Sequence, residues 1–452
     1  MWGRRRRREL RKANPWYVAS VLALASVSAN VDRQILSLLV RPIERDFGIT
    51  DVQMSYLQGL AFALFYTVLG IPIAWLADRA SRRNIIAAGT ALWSLFTTLS
   101  ATAKTYSRLL LMRVGVGVGE ATLSAPGVSL LADYFPRSQL ARAMSIYALG
   151  VFFGSGLGYF IGAVVIGRLD VAGTLHLPVL GDIRPWQSAF VTVGLPGFVI
   201  ALLFLTIREP ARRTPPQRQA RFGDLMRYVS RNRWTYITHS VGFGVWAMVN
   251  YAIAAWIPTV FRRTYDWPEA DTGRIMGTLT MTIGVLGVLA GGWIADAIGQ
   301  RGRIDGPWLV AIAGAIGMLI SATLFPLAPT AGVAFVGLAV VNFFAAFPWG
   351  AASAAAAEMA PPHLRAQGAA LYFFVSSLLS GIVGPTSVAL LTDHVFGRDA
   401  VRYSLATNTA IGMTIALALF AAGLGSYRRT VSERDAWVAD EIVGSPELAT
   451  NR

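Results

Sequence analysis

Long apolar runs, separated by short charged or Gly/Pro-containing turns, organise this chain from end to end. They fall near Trp16–Val40, Val52–Ala77, Asn84–Ala101, Tyr106–Leu131, Gln139–Gly167 and Gln187–Ile207. A polar stretch from Arg208 to Arg233, rich in arginine and holding Pro210, Pro215 and Pro216, then breaks the pattern. Six further runs follow, near Trp234–Phe261, Ala270–Ile298, Trp308–Phe325, Ala331–Met359, Leu364–Leu391 and Tyr403–Tyr427. A helix needs about 20 apolar residues to cross hydrocarbon. The pattern therefore predicts an all-α membrane protein of twelve transmembrane helices in two pseudo-symmetric six-helix bundles. The expected organisation is a basic N-terminus (1–15), a first bundle (16–207), a linker (208–233), a second bundle (234–427) and a tail (428–452).

Composition sharpens this picture. Of 452 residues, 54% are hydrophobic and only 14% are charged, whereas a soluble domain carries about 25% charged residues. A soluble enzyme and a disordered chain are both excluded on that ground. The absence of cysteine rules out disulfides and thiolate metal sites. Four histidines make a histidine-rich metal centre a poor reading, and no phosphate loop, catalytic triad or metal motif occurs. No cofactor, metal or enzymatic activity is expected.

The net charge of +15 reads as topology rather than nucleic-acid binding, because basic loops stay cytoplasmic. Basic residues collect at Arg4–Arg8, Arg79/Arg82/Arg83, Arg137/Arg142, the linker, Arg301/Arg303, Arg365 and Arg428/Arg429. The alternate loops are mixed in sign: Arg41/Glu44/Arg45/Asp46/Asp51 and Arg263/Asp266/Glu269/Asp271. Both termini are expected in the cytoplasm, which requires an even number of spans. The N-terminal basic cluster precedes a run too long for a cleaved signal peptide, so the first span is expected to be retained.

The two halves echo each other. Ala74-Trp-Leu-Ala-Asp78-Arg79-Ala-Ser81-Arg82-Arg83 is matched by Gly292-Trp-Ile-Ala-Asp296-Ala-Ile-Gly299-Gln-Arg301. Asp133-Tyr-Phe-Pro136 with Tyr147 is matched by Glu358-Met-Ala-Pro361 with Tyr372. Two halves related this way form the parallel-repeat layout of a rocking transporter.

These residues resemble the major facilitator superfamily along the whole chain. Asp78-Arg79-x-Ser81-Arg82-Arg83 resembles its cytoplasmic signature between spans two and three, with Ala74 and Ser81 where glycines are usual. Arg113 through Gly119-Glu120 resembles its fourth-span motif. Asn30-Val-Asp32-Arg33, Arg113 through Gly119-Glu120-Ala121, and Pro126 followed by Asp133-Tyr-Phe-Pro136 together resemble the spinster branch of lipid transporters. That branch implies sphingosine-1-phosphate or lysophospholipid as substrate class, with proton coupling in bacterial relatives. The superfamily signature implies a conformational latch of Asp78, Arg79, Arg82 and Arg83, with Asp296 and Arg301 its counterparts in the second half; Asp133 and Glu358, at equivalent places, are expected to join it by pairing with nearby arginines and to lock the cytoplasmic side.

Asp32 and Arg33 lie in mid-span, where charge costs at least ~2.5–3.5 kcal/mol. The plainer reading is an ion pair that only positions helices; the functional one is substrate binding and protonation. Adjacent helical residues diverge by about 100°, so the two cannot meet one partner squarely. Arg113 and Glu120 are about two turns apart on one helix face. Arg33 or Arg113 is expected to hold the anionic head group, bidentately where it meets phosphate. Asp32 or Glu120 is expected to carry the proton, with Glu120 favoured because substrate could compete with it for Arg113. Gly150, Gly154, Gly158 and Gly162 mark one face for close helix packing. Tyr159 stands where an antiporter-type motif would have proline. The second half offers aromatic and amide groups instead of charge, among them Asn250, Tyr251, Phe344 and Tyr372, and His239 reads as an interfacial polar residue.

A wall of charge facing a wall of aromatics suits an amphipathic solute. The expected function is alternating-access transport of a lysolipid or similar amphipathic anion, proton-coupled, by a monomer in a cell inner membrane. The partners are that anion, protons and membrane lipids, with no nucleic acid. A facilitator for a small organic acid or sugar acid is the second reading, and a membrane receptor or enzyme the third.

Overall fold

Local capping chemistry sets where the helices begin. In this computed structural model, which describes residues 14–77, 79–169, 175–177, 181–210, 222–361 and 364–443, Asn14 accepts the Trp16 amide and Pro15 opens α1 (Pro15–Leu38). A short α2 (Val40–Phe47) ends at Gly48, whose φ of 63° only glycine adopts without cost. Thr50 and Gln53 form a reciprocal capping box at the start of α3 (Asp51–Ser55). A wide π-turn (Tyr56–Leu60) leads into α4 (Ala61–Ala77). Ser81 and Thr105 cap α5 (Arg82–Ser100) and α6 (Tyr106–Glu120). Then follow α7 (Ser124–Tyr134), α8 (Arg137–Leu169), a two-strand hairpin of β1 (Leu175–Leu177) and β2 (Gly181–Ile183), and α9 (Ser188–Thr206).

Next come α10 (Phe222–Arg231), α11 (Arg233–Tyr265), α12 (Glu269–Leu279), α13 (Val285–Gln300), α14 (Gly306–Leu324), α15 (Ala331–Ala346) and α16 (Trp349–Glu358). The chain ends in α17 (Arg365–Leu378), α18 (Gly384–Leu391) and α19 (Val401–Val443).

Among the described residues, ten helical stretches are long and apolar enough to cross a membrane. Helices α1 and α5, of 24 and 19 residues, fall outside that set. They carry Asp32 and Arg33, and a row of Ser and Thr, in their interiors. Large apolar side chains such as Leu111, Leu202, Leu289 and Val336 stand more than half exposed. A soluble protein rarely shows so much apolar surface; a membrane protein turns it to lipid. The protein is a multi-pass helical membrane protein.

Two compact units account for the chain. The first holds Met1–Pro215, Ala254–Met281 and Ala389–Asp399. Its most extensive helix pair joins α1 to α8. A side chain at Gly150 would meet the Ala23 carbonyl at 2.9 Å, one at Gly154 the Val27 carbonyl at 2.6 Å, and one at Gly158 the Val31 carbonyl at 3.0 Å. The glycine face thus serves backbone contact, as its spacing predicts. In α6, Gly117 lies against the Phe62 carbonyl and Gly119 against the Trp93 amide. Tyr159 also has a packing role: its hydroxyl donates to the Ala254 carbonyl at 3.0 Å. Pro258, four residues on, has no N–H to offer that carbonyl.

The second unit holds Pro216–Ile253, Thr282–Val388 and Ala400–Arg452. His239, expected at an interface, is fully buried there. Its Nε2 meets the Ala352 carbonyl at 3.0 Å, and Phe243, Trp308 and Tyr372 surround the ring. Helix α11 starts at Arg233, so His239 lies well past its first turn and inside the packing.

Candidate functional site

The four charges within the apolar runs of the first half are arranged as two crossed ion pairs between α1 and α6. Arg33 donates to Glu120 Oε2 through Nε at 2.8 Å and Nη2 at 2.5 Å. Arg113 Nη1 donates to Asp32 Oδ1 at 3.1 Å, and the Thr97 hydroxyl donates to Asp32 Oδ2 at 2.7 Å. The expectation that Glu120 would face Arg113 is corrected. Two helical turns are a rise of about 10.5 Å, too far for a direct pair. Each residue instead takes its partner from α1, where the ~100° divergence of Asp32 and Arg33 sends one to each.

The pairs differ in access. Asp32, Arg113 and Glu120 are buried at 1% exposure each, whereas the Arg33 side chain remains 26% exposed. Its guanidinium lies over the rings of Phe62 at 4.5 Å and Tyr66 at 5.4 Å, a favourable seat for a cation. The Tyr66 hydroxyl in turn pairs with the Ser124 hydroxyl at 2.7 Å. Two buried atoms at the site lack a hydrogen-bond partner, Glu120 Oε1 and Arg113 Nε. Thr97, Phe62 and Tyr66 were not singled out from sequence. Only the mid-span placement of polar Thr97 hinted at a role.

At the end of this unit where α5 begins, Arg82 is 1% exposed and gathers two acids. It donates to Asp133 Oδ2 at 2.5 Å and Glu209 Oε1 at 2.8 Å, and also to the Ser129 hydroxyl at 2.9 Å. Glu209 Oε2 accepts from the Ser81 hydroxyl at 3.0 Å and the Arg83 amide at 2.9 Å. Burial works against charge on Glu209, but the Arg83 amide and the Arg82 guanidinium outweigh it and hold the carboxyl below its ordinary range. Arg83 reaches the Ile207 carbonyl at 2.9 Å. Arg79 lies over the Trp75 ring at 3.8 Å and takes no part in the acid cluster. Asp78 lies outside the described residues. Glu209, at the edge of the sequence-defined linker, gave no motif signal.

The second unit treats its copy of the motif differently. Neither Asp296 nor Arg301 forms an ion pair among the described residues. Asp305 takes their place, held by Arg303 at 3.0 Å and by Arg428 Nε at 2.8 Å. Its carboxyl is held down at about 2, first by the Arg303 hydrogen bond, with Arg428 also overcoming burial. Glu358 accepts from the Tyr427 hydroxyl at 2.7 Å. Of the expected substrate residues here, Asn250 turns its amide to the Trp246 carbonyl at 2.9 Å. Tyr251 is half-buried. Phe344 packs with Phe343 and Phe347, and Tyr372 is 8% exposed against His239 and Phe373. Asn250, Tyr251 and Tyr372 are not joined to Phe344 by any of these contacts.

The Major Facilitator Superfamily model matches residues 22–385. Protein spinster homolog 1 of Homo sapiens is 28% identical over 434 residues, covering 90% of this chain and 78% of that protein. An MFS-type efflux pump of Mycolicibacterium smegmatis is 25% identical over 433 residues, covering 92% and 94% respectively. A crystal structure described as a bacterial homolog to the human lysosomal transporter Spinster, inward-facing and unoccupied, superposes with a TM-score of 0.75 at 23% identity. It covers 94% of this chain and 98% of that one. The chain belongs to the major facilitator superfamily, with a resemblance to its spinster members, and is a membrane transporter rather than an enzyme.

Proposed function

We propose that the chain is a proton-coupled secondary transporter of an amphipathic anion, a lysolipid or a close relative of one. The observation that carries the reading is Arg33: a partly exposed mid-span cation, seated on two aromatic rings and held by a buried carboxylate. An anionic head group arriving at Arg33 offers it a second acid. Glu120 then loses charge compensation in a buried place, where a lone carboxylate is costly. Its cheapest response is to take a proton, and Glu120 Oε1, which has no partner, is free to receive it. Substrate binding and protonation thereby favour each other. Asp32 and Arg113 form the inner, closed pair that keeps α1 and α6 in register.

The rest of the reading extends the proposal. Alternating access runs between two six-span halves, 16–207 and 234–427, joined by the linker 208–233, with Arg82, Asp133, Glu209 and the second-half acids latching the cytoplasmic side. The protein is placed in a cell inner membrane with both termini cytoplasmic, acting as a monomer. The likeness to spinster proteins supports a lipid-derived solute. A facilitator for a small organic acid or sugar acid is the second reading.

Proteoliposome uptake of a lysolipid and of a small organic acid, each with and without a pH gradient, tests this. The wild type should accumulate lysolipid faster with the gradient. Glu120→Gln should retain counterflow but lose the acceleration. Full pH-driven transport in both Glu120→Gln and Asp32→Asn would remove these carboxylates from the coupling route.

A further inference from the structure

A second group of buried charges lies at the opposite end of the first unit, where α1 gives way to α2 and α3. Arg263, near the end of α11, holds both oxygens of Asp51, at 2.6 and 2.8 Å, and also Glu44 Oε2 at 2.9 Å. Asp51 is fully buried and the Glu44 side chain is 10% exposed. One guanidinium thus serves three of four carboxylate oxygens. The fourth, Glu44 Oε1, is buried with no donor, and the Asp51 carboxyl lies within hydrogen-bonding reach of Glu44.

The surroundings do not supply a cure for that oxygen. Arg398 spends a donor on the Ile49 carbonyl at 2.7 Å. On α2, Asp46 is paired with Arg184, and Arg41 and Arg45 face solvent. Arg262 is occupied by Asp266 and Glu269 at the start of α12. Asp393 accepts the Val52 amide at 3.0 Å. Two carboxyls in contact and an oxygen without a donor are both relieved by one proton. A cavity of about 230 Å³ opens beside Glu44, lined by Arg41, Thr259, Arg262 and Arg263, so water can deliver it.

We propose that Glu44 and Asp51 form a second proton-binding site, whose shared proton clasps the segment Ala254–Met281 to α2 and α3. The site is separate from the Arg33–Glu120 pair. The electrostatics agree: burial first, then contact with Asp51, pushes the Glu44 carboxyl up to about 8 against the pull of Arg263. The sign follows from linkage. A clasped state that binds the proton more tightly than the open state is favoured below the ordinary glutamate range, and its advantage is lost as pH rises through about 8. Pro258 and the Tyr159 bond to the Ala254 carbonyl sit at the base of the same segment, where a helix can bend.

The chain has no cysteine, so nitroxide labels at Arg45→Cys and Asp271→Cys report one distance in the full-length protein by pulsed electron resonance. Between pH 6 and 9.5 the short-distance population should fall, with its ratio to the long one dropping by up to tenfold per pH unit. Glu44→Gln should keep the short distance throughout, and Glu120→Gln should leave the response intact. Asp51→Asn, a second variant should Glu44→Gln fold poorly, should move the midpoint down towards that of an ordinary glutamate. A pH response unchanged in Glu44→Gln, no response in the parent, or a response abolished by Glu120→Gln would each overturn the proposal.

Discussion

Arg82 and Gln300 occupy equivalent places in the two copies of the loop motif, set 218 residues apart. In the first unit Arg82 is buried and grips Asp133 and Glu209. In the second the corresponding side chain has no charge, and the acid cluster moves along the chain to Asp305, itself buried but held by the half-exposed Arg303 and Arg428. Helices α6 and α15 diverge in the same way. At the 225-residue offset of the second echo, Arg113 and Glu120 become Leu338 and Ala345. The sequence echo is kept, while one or two substitutions decide whether the cation of the cluster is buried or half-exposed. A buried pair is sensitive to losing one partner; an exposed one is worth little.

Arg82→Ala should break the first unit's cluster at a cost of ~3–5 kcal/mol, since it strands two partly buried acids. Thermal unfolding of the purified protein in detergent measures this. Arg303→Ala, at an exposed position, should shift the transition far less, and an equal shift for the two would end the contrast drawn between the copies. At mid-span, Arg33→Ala should weaken binding of an anionic lysolipid at least ~tenfold more than binding of its uncharged analogue, a difference of about 1.4 kcal/mol. Arg113→Ala, which strands Asp32, should lower stability and affect both ligands alike. Ligand titrations with each variant separate these outcomes.

The smallest effect is expected at Asp305. Its carboxyl is depressed in the folded state, so its contribution is present above the ordinary aspartate range and is lost as pH falls through about 2. Because Arg303 and Arg428 are about half exposed, the contribution should be no more than ~1 kcal/mol. Asp305→Asn should flatten the acid limb of the unfolding profile between pH 4 and pH 2 and leave the neutral region nearly unchanged. A steeper acid limb in the variant would contradict the assignment.

Much of the first unit is legible in the sequence. Asp32, Arg33, Arg113 and Glu120 stood out because charge in an apolar run is costly, and the structure brings all four together. The four-residue glycine spacing pointed to a packing face, and it meets α1 backbone. Arg82 and Asp133 were named, and they touch. Glu209 was not, because a single glutamate beside a proline in a polar stretch carries no pattern. The motif points to Asp296 rather than Asp305, yet Asp296 finds no arginine among the described residues.

What the sequence determined by itself was therefore local: helical runs from apolar length, helix ends from Asn14, Thr50 and Gly48, the repeat, and the polar residues expensive enough to need a partner. Tertiary structure alone decided the partners. Arg33 lies 87 residues from Glu120, Arg113 lies 81 from Asp32, and Arg263 lies 212 from Asp51. Hydrophobic periodicity records which face of a helix is buried but not which charge will stand opposite. That choice rests on the rise and rotation of two packed helices, so α1 crossing α6 assigns Glu120 to Arg33, and α11 reaching α3 converts two mixed-charge loops into a single buried cluster.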